Sequence, residues 1–186
     1  MSATHGSSSQ RDAPAPDGGF DVLDACHRQT LFTLGKLAAL VARLKRRGVD
    51  AEGRAMATEI VHFFSTTARQ HHEDEERHVF PTLMAGGDPD VVQAVQRLQQ
   101  DHRWLHEDWM ELSPLLDAVA AGQSWYDLDA LREDAEVFTA LSHDHIALEE
   151  SYIYPQARER MRPGERREMG REMAARRRAQ RGTKSS

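Results

Sequence analysis

The sequence predicts an all-α fold: an up-down-up-down antiparallel four-helix bundle with an additional short basic helix at the C-terminus. Three observations carry that expectation. Between Phe20 and Arg160 the apolar residues recur at three- and four-residue steps. The interruptions are few, short and made of helix punctuation: Gly48 before Asp50, Gly86-Gly87 before Asp88-Pro89, and the stretch from Gly122 to Asp127. Hydrophobic residues make up 39% of the 186 and aromatics only 6%, which favours helices over a β sandwich. Short connections join antiparallel neighbours.

The chain divides into an N-terminal arm (1–19), the bundle (20–160) and a basic helix or tail (161–186). The arm, with Ser7, Ser8, Ser9, Pro14, Pro16, Gly18 and Gly19, is expected to be disordered because it holds nothing to bury. The first helix is expected from about Asp21 to Arg47, burying Leu23, Leu31, Leu34, Ala38 and Val41, with Gly48 as its stop. Asp50 caps the second, which turns Met56, Ile60, Phe64 and Thr67 inward and runs through a charged stretch to Phe80, Pro81 and Met84. Asp88-Pro89 opens the third, in phase from Val91 to Val119, with a local kink expected at Pro114. The fourth presents Leu131, Phe138, Leu141, Leu148 and Tyr152 and ends near Pro155 or a few residues later. The stretch Pro163 to Arg181 has only Met169 and Met173 as large apolar residues. It is expected to dock weakly or fray, and reads as a solvated helix held by Glu–Arg pairs, with an acidic partner as the alternative.

Charge is unevenly spread. The chain totals −6, yet residues 156–186 carry a net +7 and the remainder −13. An acidic body, and a basic tail with no aromatic residue between its arginines, argue against nucleic acid as a partner. The lone cysteine, Cys26, rules out an internal disulfide framework and a Cys-rich zinc site and fits a reducing compartment. No apolar run approaches the roughly 20 residues that span a bilayer, and the arm lacks the apolar core of a signal peptide. The expectation is a cytoplasmic protein with no membrane partner.

Ten histidines are the anomaly. Four of them, His27, His71, His102 and His145, fall where the helical period calls for a buried apolar residue, one in each helix. In an antiparallel hairpin, residues equidistant from the turn share a height along the bundle. His27 and His71 centre on position 49, His71 and His102 on 86.5, and His102 and His145 on 123.5, each inside a turn. All four therefore lie in one layer. The sequence also repeats: His71-His-Glu-Asp-Glu75, leading to Pro81, is echoed 74 residues later by His145-Ile-Ala-Leu-Glu149, leading to Pro155, while His27 and His102 repeat at 75. The i, i+4 spacing turns Glu75 inward beside His71 and Glu149 beside His145.

Two facing buried carboxylates must be protonated, paired or bound to cations, and with no arginine or lysine in phase a metal meets that need. Nitrogen and oxygen donors without thiolate suit iron, manganese or zinc, and six side chains exceed what one tetrahedral zinc takes. Two ions bridged by Glu75 and Glu149, each keeping positions open for an external ligand, fit better. His106, one turn beyond His102, is a candidate fifth histidine ligand, with a surface role as its alternative. His72 and Glu76 would replace His71 and Glu75 under a one-residue register shift, but the matched distances to Pro81 and Pro155 favour the latter pair. His78 carries less weight still, and His62 and His143 read as exposed or packing residues. Cys26 reads as a small buried residue.

These motifs resemble the hemerythrin-like, HHE cation-binding family: a histidine in the first helix, His71 and Glu75 before Val79-Phe80-Pro81, His102 in the third helix, and His145 and Glu149 before Ile153-Tyr154-Pro155. The resemblance spans roughly residues 20–160. It implies a non-haem di-iron centre with bridging carboxylates and His27, His71, Glu75, His102, His145 and Glu149 as ligands. It also implies O2 or NO as the small ligand, for oxygen, redox or nitrosative sensing, storage or scavenging. An enzyme reducing O2, peroxide or NO, and iron storage or donation for iron–sulfur cluster repair, are the alternatives. Zinc and manganese are the alternative metals.

Overall fold

The computed structural model describes residues 18–183, with side-chain surroundings through Ala179; of the arm expected over 1–19, residues 1–17 lie outside this range, while Gly19, expected in the arm, is buried and opens the first helix. Every regular element among the described residues is helical. In order they are α1 (Gly19–Arg47), α2 (Ala51–His62), a π-helical segment (Phe63–Ala68), α3 (Arg69–His78), α4 (Phe80–Ala85), α5 (Pro89–Ala120), α6 (Leu128–Leu148), a second π-helical segment (Glu149–Ile153), α7 (Tyr154–Arg160) and α8 (Pro163–Thr183). None is long and apolar enough to cross a membrane.

The expected punctuation sets the starts and stops. Asp50 accepts from the Gly53 amide at 2.8 Å, Asp88 from Asp90 at 3.1 Å and Asp127 from Asp129 at 2.9 Å, so each helix-opening aspartate satisfies an orphan donor. Gly48 ends α1 at φ 68, a left-handed conformation that side chains other than glycine's resist.

Two expectations about continuity fail. The second arm is not one helix: it passes through α2, the first π segment, α3 and a break at Val79 before α4, and the fourth arm holds the second π segment. Part of the cause is a proline in equivalent places. Pro81 and Pro155 cannot donate to the carbonyls of Arg77 and Ser151, and the ladder yields at Val79 and over 149–153. By contrast α5 runs unbroken through Pro114. The buried face of α1 also differs from expectation. It follows the seven-residue steps Leu23, Thr30, Leu37 and Leu44, so Leu31, one position past Thr30, is turned outward and 36% exposed, and Ala38 is exposed as well.

Helices α1 and α5 each pack against both α2 and α6, closing a ring. The ends meet start against finish: Arg54 in α2 donates to the Ala120 carbonyl of α5 at 3.1 Å, and Arg158 in α7 to Asp24 in α1 at 2.7 Å. Apolar packing forms two clusters. One gathers Leu34, Leu37, Ile60, Leu112, Leu116 and Phe138, the other Phe20, Leu23, Phe80, Leu98, Ile153 and Tyr154. Each fully buried large side chain contributes about 1.5–3 kcal/mol, and together the clusters fix the polar residues held between them.

Helix α8 is docked rather than solvated on all sides. Met169 and Met173 are buried in the second cluster at 3% and 0% exposure. A Cβ at Gly170 would come within 2.9 Å of the backbone of Gly18 and Gly19, so the glycine permits the close approach to α1. Arg176 and Arg177 both pair with buried Asp74, the latter at 2.9 Å.

Candidate metal centre

Six predicted ligands, His27, His71, Glu75, His102, His145 and Glu149, are brought together between the two clusters, every one at most 6% exposed. Their donor atoms form two overlapping groups. His27, His71, Glu75 and Glu149 make one, Glu75, His102, His145 and Glu149 the other, and within each the donor atoms lie within 4.8 Å of one another. The carboxylates belong to both. Glu75 directs Oε1 to His71 Nε2 at 3.4 Å and Oε2 to His102 Nε2 at 3.5 Å. Glu149 directs Oε2 to His27 Nε2 at 3.0 Å and Oε1 to His145 Nε2 at 3.2 Å. Each glutamate thus sets one oxygen beside a histidine of each group, which is how a carboxylate bridges two ions.

The fit to cations shows in what these atoms lack. Glu75 Oε2, both Glu149 oxygens, His71 Nε2, His102 Nε2 and His145 Nε2 are buried without a hydrogen-bond partner, although they face one another closely. Buried polar atoms are rarely left so, and hard nitrogen and oxygen donors pointing inward describe a site for borderline divalent metals. The charges agree. Burial and the Glu149 charge push the Glu75 carboxyl up to about 7. Burial also opposes ionisation of Glu149, but His145 and His27 outweigh it and hold its carboxyl well below the usual range. Burial favours neutral His145, yet Glu149 and Asp101 overcome it and raise that imidazole to about 10. Burial and the other imidazoles keep His71 well below its ordinary value. The cluster therefore shares protons where cations would carry the positive charge.

Outside the ligands, a layer of acids orients the rings. Glu150 lies 3.0 Å from His27 Nδ1, Glu76 lies 2.9 Å from His102 Nδ1, and buried Asp101 lies 3.7 Å from His145 Nδ1. The first two are hydrogen bonds and fix which nitrogen of His27 and His102 faces inward. This role was not expected from the sequence. The doubled Glu75-Glu76 and Glu149-Glu150 were the available signal, since the repeat that pairs the ligands pairs these neighbours too. Tyr154 was missed as well: its hydroxyl donates to Glu75 and sits 3.2 Å from His27 Nε2, and its ring stacks on His27 with centroids 5.2 Å apart.

His106 is not brought to the cluster. It is exposed and belongs to none of the metal-capable groups among the described residues; one turn along α5 from His102 carries its side chain outward. His72, set aside on register, instead stacks on His102 with centroids 4.1 Å apart and forms a third group with His102 and His145. His78 lies against α8, 3.4 Å from Arg176, while His62 and His143 are exposed.

A cavity of about 440 Å³ adjoins one side of the histidine layer, lined in part by Phe64, Leu105, Trp109 and Phe138. On the opposite side Phe20, Phe80 and Tyr154 close the site.

A helical bundle holding paired His/Glu groups around two shared carboxylates has the donor set of a cation-binding protein. The family model for the hemerythrin HHE cation binding domain matches residues 18–157, and the chain belongs to that family. It is also 31% identical over 157 residues to an uncharacterized protein of Haemophilus influenzae, covering 84% of this chain and 88% of that one.

Proposed function

We propose that the two groups hold a pair of non-haem iron ions bridged by Glu75 and Glu149, and that this centre binds O2 or NO for oxygen, redox or nitrosative sensing, storage or scavenging. The observation that carries the reading is the split of each bridging carboxylate between the two groups, one oxygen to each. Four imidazoles and two carboxylates are too few to saturate two six-coordinate ions, which leaves positions for a small ligand. When bound, the metal pair supplies a reducible centre to which a diatomic can attach.

The chain's own residues do the rest. Glu75 and Glu149 offset the ionic charge, while Glu150 and Glu76 hold the Nδ1 atoms of His27 and His102 so that Nε2 faces inward. Phe80 and Tyr154 stack on His102 and His27 and keep water from that side. The Tyr154 hydroxyl is the polar group placed to donate a hydrogen bond within the centre. Catalytic reduction of O2, peroxide or NO is the second reading, favoured by the cavity that reaches the histidines.

Protein expressed with iron and purified without oxygen should contain about two irons per chain, lost in Glu75→Ala, and should change its absorption reversibly on adding O2 or NO. Zinc alone, or a folded protein that takes up no metal, overturns the reading. Many turnovers per site with an added electron donor would select the enzyme instead.

A further inference from the structure

The cavity is far larger than a diatomic needs. A gas molecule takes roughly the room of one water, about 30 Å³, whereas this space measures about 440 Å³, within the range of roughly 300–1,000 Å³ that accommodates organic molecules. Its walls are apolar, built chiefly by Phe64, Leu105, Trp109, Phe138 and Ile146. Several polar wall groups are engaged within the protein itself. Trp109 Nε1 donates to Ser65 Oγ at 3.2 Å, Ser142 Oγ to the Phe138 carbonyl at 2.7 Å, and Thr30 Oγ1 to the Cys26 carbonyl at 3.0 Å.

The backbone explains the opening. The π segment Phe63–Ala68 supplies Phe64, Ser65 and Ala68 to the wall, and the equivalent stretch of the second hairpin lies within uninterrupted α6. Helix α2 packs along α5, and α3, beyond the π segment, meets α5 through side chains, His72 stacking on His102 and Glu76 hydrogen-bonding to it. The cavity lies beside this junction, walled by Phe64, Leu105 and Trp109. π segments of this kind recur at functional sites.

Charge selects the ligand. The floor presents imidazoles, while Glu75 and Glu149 lie behind them and do not line the space. The lining carboxylates are engaged, Glu73 with Arg69 at 3.3 Å and Glu76 with His102 at 2.9 Å. Arg103, also lining the cavity, donates to the neutral amide of Gln100 at 2.5 Å. An amine would find no free carboxylate here, and a neutral molecule would make no use of the guanidinium.

We propose that this cavity binds a small organic acid, its apolar, aromatic body lying among Phe64, Trp109 and Phe138 and its carboxylate reaching Arg103 at the rim. This acid site is independent of which metal the neighbouring histidines hold.

Calorimetric titration of the full-length protein with 4-phenylbutyrate, 4-phenylbutanol and 4-phenylbutylamine tests it, with the metal content of each sample measured in parallel. The acid should bind saturably and about tenfold more tightly than the alcohol, as a charge-assisted hydrogen bond warrants, and the amine should bind least. Arg103→Gln should reduce the acid's affinity to that of the alcohol. Ala68→Phe should abolish binding by filling the wall, with metal content unchanged. Ser113→Phe, at a less buried lining position, replaces it if circular dichroism shows Ala68→Phe unfolded. No saturable binding of the acid, an alcohol or amine that binds equally well, or full affinity in the filled variant overturns the proposal. A sample that binds the acid but holds no iron overturns the di-iron reading and leaves this one standing.

Discussion

The two halves of the bundle carry the same ligands in different surroundings. His27, His71 and Glu75 in the first hairpin correspond to His102, His145 and Glu149 in the second, and even the contacts repeat: Glu150 orients His27 as Glu76 orients His102. Beyond these the correspondence breaks. Tyr154 places a hydroxyl on Glu75 where Phe80 offers only a ring. Asp101 stands near His145, whereas the equivalent Cys26 holds a thiol pushed up to about 12 by burial and by Glu75. The first hairpin alone has the π segment ahead of its His-x-x-x-Glu, and it alone has α8 bound through Asp74. The same donor types recur in both halves, so that each of the two groups holds two imidazoles and both carboxylates. Access, burial and hydrogen bonding differ because only one side of a layer can be left open.

The largest effect should come from breaking what the halves share. Glu75→Ala and Glu149→Ala each remove a residue common to both donor groups, so each should lower metal content to below one ion per chain by elemental analysis. His106→Ala should leave it unchanged. Equal loss in all three would return His106 to the ligand set.

Next comes the asymmetric helix. Met173, fully buried under α8, should cost about 2–5 kcal/mol when replaced by alanine, the usual range for emptying such a site. Urea unfolding measures it, and a loss below 1 kcal/mol would mean that α8 contributes little to the fold.

The orienting acids should sharpen the symmetry. Glu76→Gln and Glu150→Gln should each weaken metal affinity by about 10–100-fold, and to similar extents, in competition with a chelator. A much larger effect at one of them would show that the two groups are unequal in their dependence on ring orientation.

The smallest effect lies at the α1–α2 turn. Hydrogen bonds from Arg43 and the Gly53 amide lower the Asp50 carboxyl from 3.8 to about 2. With the folded value depressed, its stabilising contribution is present above the ordinary value and is lost as pH falls toward 2. Asp50→Asn should therefore flatten the acid limb of the thermal midpoint against pH. An unchanged limb would mean that other carboxylates govern acid unfolding.

Much of this centre was legible in one dimension. Turn positions fixed the heights of His27, His71, His102 and His145, and the i, i+4 step fixed the inward turn of Glu75 and Glu149, because both follow from helical rise and period alone. The place of His72 was not legible: it sits one residue off the stripe, and only the packing of α3 against its neighbours lays its ring on His102. The π segments were hidden for a similar reason. Residues such as Ser65 and Thr66 carry no local signal that separates a wide turn from an ordinary one. Asp74 looked like one charge in an acidic run until Arg176, 102 positions later, closed on it.

The sequence by itself determined the helices, the histidine layer, the inward pair Glu75 and Glu149, and the family. These depend on periodicity and on residue chemistry, which are local. Tertiary structure alone decided that α8 packs against α1, that Tyr154 reaches Glu75 across the bundle, and that a cavity opens beside Trp109. Those outcomes depend on how close separate helices come, distances that no single segment encodes.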